Sequence, residues 1–156
     1  MTRNNTHRIL DSYAIRACYS DTDAAGVIHH ARILEFFERS RTEWLHRLGA
    51  APGHLAPLKL LLIIREISIS FQQPGRLDDL LFFSHHISHL GNSQFTLMQS
   101  IHKSQATGSS SGNLFEISES NRLASAQFQI VCVNTETLKS TSLPSMIRDF
   151  VLEQTS

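Results

Sequence analysis

One stretch of the chain alone carries a sustained helical period, and it sits among segments that alternate. Between His30 and Leu48, the residues Ile33, Leu34, Phe37, Trp44, Leu45 and Leu48 recur at helical steps and define one apolar stripe. Glu35/Arg39 and Glu43/Arg47 stand four apart with the acid first, the order that supports a helix, and Gly49 supplies a stop. Before it, Tyr13 to Tyr19 alternates as a strand with one buried face. After it, "KLLLIIREISISF", "DDLLFFSHHISHL", "NSQFTLMQSIHK" and "RLASAQFQIVCVN" each show strand-like alternation or β-branched and aromatic content. "QQPGRLDD", between the first two of these, reads as a hairpin connection. Residues 144–153 read as a short C-terminal helix with Pro144 near its first turn. A single helix this apolar must be covered, so the pattern predicts an α+β fold: an antiparallel sheet of about five strands wrapped around one long central helix.

The 156 residues suit one domain, 1–156, with a surface insertion expected at 104–121 around "GSSSG". Net charge is zero, which removes the global field that nucleic acid or an anionic membrane would need. Cys18 and Cys132 both lie in apolar alternating runs, so they read as small core residues in a reducing compartment. The N-terminal stretch lacks the apolar core of a signal peptide, and the longest aliphatic run, Leu60 to Ile64, is too short to span a bilayer. A soluble, cytoplasmic protein without membrane insertion is therefore expected.

The stretch "YSDTDAAGVIHHARILEFFERSRTEWL" is more elaborate than a turn requires. It closely resembles the start of the hotdog-fold acyl-CoA thioesterases of the 4-hydroxybenzoyl-CoA thioesterase family, including their 1,4-dihydroxy-2-naphthoyl-CoA hydrolase-like members. That family shows Tyr, any residue, Asp-Thr-Asp, two small residues, Gly-Val-Val-Tyr-His-Ala-Asn-Tyr and then a helix. "FQQPGRLDDLL" and, more faintly, "QFQIVCVN" continue the likeness, which spans about Tyr13 to Asn134. The chain departs from the pattern at "HHARI", where His29, Arg32 and Ile33 replace tyrosine, asparagine and tyrosine.

The resemblance implies thioester hydrolysis with Asp23 as the catalytic carboxylate, attacking the thioester or directing a water. Standing alone, Asp23 would read as a turn residue bonding its own backbone. The resemblance makes the backbone amide of His30, at the helix N-terminus, the oxyanion donor. The His30 ring and Tyr19 are further catalytic candidates, through hydrogen bonds to the carboxylate or its water. Gly26, Val27 and His29 are expected at the substrate, and Asp21 reads as a turn-holding carboxylate.

No metal or cofactor is expected, since CoA enters as part of the substrate. In "SHHISH", His85 and His89 share a strand face but stand about 13 Å apart, too far to share a zinc ion, and the strand histidines read as solvent-facing. Glu35 and Glu38 lie on the helix, where another hotdog subgroup keeps its carboxylate, but pairing with Arg39 and Arg41 accounts for them. Lys59, Arg65, Arg76 and Lys103 are candidates for the CoA phosphates. The expected substrate is an acyl-CoA, with an aromatic acyl group such as hydroxybenzoyl or dihydroxynaphthoyl suggested by the likeness, and the expected assembly a homodimer or homotetramer. The alternatives are a thioesterase for acyl carrier protein or short-chain acyl-CoA, and a non-catalytic acyl binder.

Overall fold

The computed structural model describes residues 13–104 and 117–155. Among these residues five strands, β1 (Ala14–Arg16), β2 (Leu60–Phe71), β3 (Leu80–Leu90), β4 (Gln94–Lys103) and β5 (Arg122–Asn134), form one sheet in the order β1-β3-β4-β5-β2. Three α-helices among the described residues accompany it: α1 (His30–Arg47), the single turn α2 (Pro52–Leu55) and α3 (Ser145–Thr155). One antiparallel sheet with one long helix is the α+β arrangement expected from the alternating segments, and the hotdog fold that the family resemblance implies.

The strand order corrects one expectation. β2 and β3 follow each other in sequence but are not neighbours in the sheet, so "QQPGRLDD" is a crossover between them and not a hairpin. The backbone N–H groups of Gln72 and Gln73 donate to Leu123 O, at 2.8 and 3.2 Å, which ties the start of the crossover to β5. Local turn composition signals a change of direction. Which strand is met next depends on distant partners.

The chain divides into two compact units. The first comprises Met1–Glu38, Ser70–Ser84 and Ser100–Ser125. In it β1 pairs antiparallel with β3, with Ala14, Ile15 and Arg16 opposite Phe82, Leu81 and Leu80. Its buried residues include Ile28, Ile33, Phe36, Phe37, Phe83 and Leu123. Leu34, expected on the apolar stripe of α1, is 38% exposed, and Phe36 takes its place inside. Glu35 pairs with Arg32 at 2.5 Å, which replaces the expected Glu35–Arg39 pair. Residues 105–116 of the expected insertion lie outside the described residues. At its near end, Ser104 N–H donates to Leu80 O at 2.8 Å.

The second unit comprises Arg39–Ile69, His85–Gln99 and Ala126–Ser156. Its part of α1 carries a charge inward: Arg41 is buried, donates to Gln99 Oε1 at 2.9 Å, and lies 4.5 Å from the centre of the Phe128 ring. Gln99 Nε2 in turn donates to Ser40 Oγ. Arg41 is thus a core residue held by an amide and an aromatic face, in contrast to the surface pairing expected for it. His85 is likewise not solvent-facing, because it is half-buried and stacks on Trp44 with the rings 2° from parallel. α3 begins just after Pro144, buries Ile147, and is tied by Arg148 Nη2 donating to Asn92 O at 2.7 Å. At the C-terminus of α1, Gly49 adopts φ 68° and ends the helix.

Candidate active site

All the residues singled out in the opening motif lie in the first unit. Tyr19–Asp21 forms a 3-10 turn. From Thr22 the chain runs out and back: Thr22 bridges Ile28, Asp23 N–H donates to Val27 O at 2.9 Å, and Gly26 N–H donates to Asp23 O at 3.0 Å. Gly26 has φ 74°, and a Cβ there would meet nothing within 4 Å. The backbone angle, and not lack of room, calls for glycine at this position. The returning limb is held from outside, because Ile28 N–H donates to Gly75 O at 2.8 Å and Val27 bridges Arg76.

Within this small loop the two aspartates have opposite environments. Asp21 is buried: its Oδ2 accepts from Cys18 N–H at 2.9 Å and from Cys18 Sγ at 3.2 Å, its Oδ1 stands 3.9 Å from Arg32 Nε, and its backbone O accepts from His29 N–H at 2.8 Å. It joins the turn to the start of α1. Cys18 is therefore exposed and polar in its contacts, not the core residue expected, while Cys132 is buried and its thiol is pushed up by that burial. Asp23 is exposed, and its Oδ1 accepts from Ala25 N–H at 2.8 Å with a longer contact from Val27 N–H at 3.5 Å. Asp23 Oδ2 has no hydrogen-bond partner among the described residues. The carboxylate holds its own turn through one oxygen and offers the other.

α1 starts at His30, and its first turn is capped by a histidine. His29 Nδ1 accepts from Ala31 N–H at 3.1 Å, so a ring nitrogen does the work usually done by a serine or aspartate oxygen. That bond requires an unprotonated Nδ1 and so places the ring proton on Nε2. The His29 and His30 rings stack with centres 4.2 Å apart. His30 N–H has no acceptor among the described residues, as befits the open end of a helix. Arg32, one turn in, is held above the usual guanidinium range first by its hydrogen bond to Glu35 and then by charge.

Tyr19 is 83% exposed, and among the described residues neither its hydroxyl nor the His30 ring bonds the Asp23 carboxylate. Sequence reasoning missed Gly75. A Cβ there would stand 2.5 Å from Ile28 Cδ1 and 2.6 Å from Leu123 Cδ2, so the crossover backbone presses directly on the limb that leads to α1. The Pro-Gly pair in "QQPGRLDD" was a signal, but one that also fits an ordinary turn.

A loop that carries an exposed carboxylate and runs into a helix whose first N–H has no acceptor among the described residues can supply a nucleophile or base and an anion-binding N–H. Residues 19–151 match the family model of the thioesterase-like superfamily, and the chain belongs to that family. It is a thioester hydrolase. The acyl-CoA thioester hydrolase YbgC of Escherichia coli O6:H1 is 28% identical over 135 residues, covering 86% of this chain and 90% of that protein. Among solved structures, the "probable thioesterase" of Bartonella henselae is 32% identical, with TM-score 0.63 and coverage of 85% and 96%. A 1,4-dihydroxy-2-naphthoyl-CoA thioesterase from Synechocystis shares the fold at 20% identity, with TM-score 0.73 and coverage of 92% and 96%.

Proposed function

We propose that this chain hydrolyses an acyl-CoA at the Asp23 loop, releasing the free acid and CoA. The observation that carries the reading is the presence, within one short loop, of an exposed carboxylate and a helix-terminal N–H without an acceptor among the described residues. The thioester carbonyl oxygen rests on His30 N–H, where one such donor is typically worth about 10² to 10³ in rate. Asp23 either attacks the carbonyl carbon itself or takes the proton of a water that does so. When water attacks, the C–S bond breaks and the CoA sulfur leaves with the proton taken by Asp23; when Asp23 attacks, the C–S bond breaks to leave CoA thiolate and an Asp23 anhydride, which a water hydrolyses to the free acid and the carboxylate, its proton passing to the CoA sulfur. His30 and Tyr19 side chains are close to Asp23 in sequence and exposed, so they meet substrate and water; Gly26, Val27 and His29 line the acyl end.

An aromatic acyl group is the preferred substrate in this reading, by analogy with the Synechocystis protein of the same fold. Arg76 and Lys103, in the same unit as Asp23, are the cations proposed for the CoA phosphates, while Arg65 belongs to the second unit. Lys59 is the weakest of the original four, since its Nζ is paired with Glu136 at 2.6 Å. The working form is a homodimer, or a homotetramer built from it, in the cytoplasm. Strand β2 supports this: it ends the sheet order, and its Leu61, Ile63, Ile64, Ile67 and Phe71 are all exposed by 39% or more. An apolar edge of that kind is ordinarily covered by a second chain.

The test is purified protein against aryl-, short-chain and long-chain acyl-CoAs with a free-thiol reagent. Preference for an aryl-CoA supports the full reading. Preference for short chains, or for acyl groups on acyl carrier protein, replaces the acyl assignment, and absence of turnover on every thioester leaves a non-catalytic acyl binder.

A further inference from the structure

We propose that Ser100 is a second nucleophile, aligned by His102 and Asn121, that takes acyl groups from small esters with phenol-type leaving groups independently of Asp23. Ser100 and His102 lie two apart on β4, so both side chains project from one face of the strand. His102 Nε2 stands 2.7 Å from Ser100 Oγ, and His102 Nδ1 stands 3.0 Å from Asn121 Oδ1. All three belong to the first unit, as does Ser84, whose hydroxyl bonds that of Ser100.

The proton positions follow from the surrounding bonds. Asn121 Nδ2 donates to Lys103 O at 3.2 Å and Asn121 Oδ1 accepts from Ser118 N–H at 3.1 Å, which fixes the orientation of the amide. An oxygen facing His102 Nδ1 requires the proton on Nδ1, so Nε2 carries the lone pair. Ser100 O–H must then donate to Nε2. Its only proton is thereby committed, and Ser84 O–H donates to Ser100 Oγ. The result is a serine directed at a neutral imidazole whose far nitrogen is held by an amide, the order of roles that activates a hydroxyl.

The environment suits the base. His102 is 1% exposed and stacks on Phe82, and desolvation holds its imidazole below the ordinary histidine range despite the bond to Asn121. Ser100 itself is only half-buried. In the reaction, Ser100 Oγ attacks the ester carbonyl carbon while His102 Nε2 takes the hydroxyl proton. The C–O bond to the phenol breaks, the phenolate takes that proton from His102, and the acyl group remains on Ser100. A water, deprotonated by His102, then attacks the acyl carbon and regenerates the serine as the acid departs. Asn121 cannot neutralise the imidazolium as a carboxylate would, which confines the site to good leaving groups and excludes amides.

The experiment uses the whole chain with p-nitrophenyl acetate and, separately, an alkyl fluorophosphonate followed by peptide mass spectrometry. The fluorophosphonate should add to Ser100 in the wild-type protein. With Asp23→Asn as the common background, so that the Asp23 site contributes nothing, Ser100→Ala and His102→Gln should each lower p-nitrophenyl acetate turnover by about tenfold or more. Ser100→Ala should leave acyl-CoA hydrolysis unchanged, so failure here and failure of the Asp23 reading are separate results. An adduct absent from Ser100 in wild type, or Ser100→Ala retaining turnover within about twofold, overturns the proposal.

Discussion

Ala25 N–H donates to Asp23 Oδ1 at 2.8 Å, so the second aspartate of the motif shapes the loop on which it is displayed. A turn-forming role and a chemical role therefore fall on the two oxygens of one side chain. Replacement of Asp23 by asparagine keeps the accepting oxygen and removes the charge, which makes it the discriminating substitution.

The two glycines beside this loop should fail for different reasons. Gly26→Ala forces a Cβ onto a φ of 74° with open space around it, so it should cost about 1 kcal/mol in unfolding free energy through backbone strain alone. Gly75→Ala drives a methyl into Ile28 and Leu123 and should cost about 1 to 3 kcal/mol by overpacking. Because Ile28 leads into α1, Gly75→Ala should also lower kcat. Denaturant unfolding and kinetics on both variants check this, and equal stability of Gly75→Ala and wild type would contradict it.

His29 should matter as a cap. His29→Ala removes the acceptor for Ala31 N–H and should destabilise the chain by about 0.5 to 2 kcal/mol, whereas His29→Asn, which can cap in its place, should recover most of the loss. Thermal melts of the two variants decide it. Identical melting of His29→Ala and wild type would remove the capping role.

Burial of His102 sets a direction for acid sensitivity. Its folded pKa is lowered, so as pH falls below the ordinary histidine value of about 6.5 the unfolded chain takes up the proton first and stability declines. Above that pH its contribution is fully present. In His102→Gln the fall in unfolding free energy between neutral pH and the acid side should be shallower than in wild type; a slope equal to wild type would show that His102 does not titrate between the two states.

An edge charge should break assembly. Ile64→Lys on exposed β2 should yield the 17.6 kDa species in sedimentation at micromolar concentration, and wild type should sediment as a dimer or larger under the same conditions. A wild type that sediments as a monomer contradicts the assembly proposed.

The long helix and strands β2 to β5 were legible to within one or two residues, because alternation and helical period are local properties; β1 ends at Arg16, three residues before the expected Tyr19, which falls in a 3-10 turn. Arg41 was not. Its place in the core depends on Gln99 and Phe128, 58 and 87 residues away, where 128 − 41 = 87. The crossover was misread for the same reason, since Gln72 and Gln73 find their acceptor in Leu123. The candidate site was legible because Asp23, Gly26 and His30 lie within eight consecutive residues and share one loop. Gly75, which supports that loop from the crossover, and the Ser100–His102–Asn121 relay were not visible, because neither is contained in a short run of sequence.

The most direct measurement is steady-state hydrolysis of the best acyl-CoA by Asp23→Asn and Asp21→Asn, with unfolding free energy measured on both. Asp23→Asn should fold like wild type and keep KM within a few-fold while kcat falls by about 10² to 10⁴. Asp21→Asn, which loses the charge that accepts from Cys18 and faces Arg32, should lose stability and much less of its kcat. Near wild-type hydrolysis by Asp23→Asn, or a larger kcat loss in Asp21→Asn than in Asp23→Asn, would contradict the assignment of Asp23 as the catalytic carboxylate.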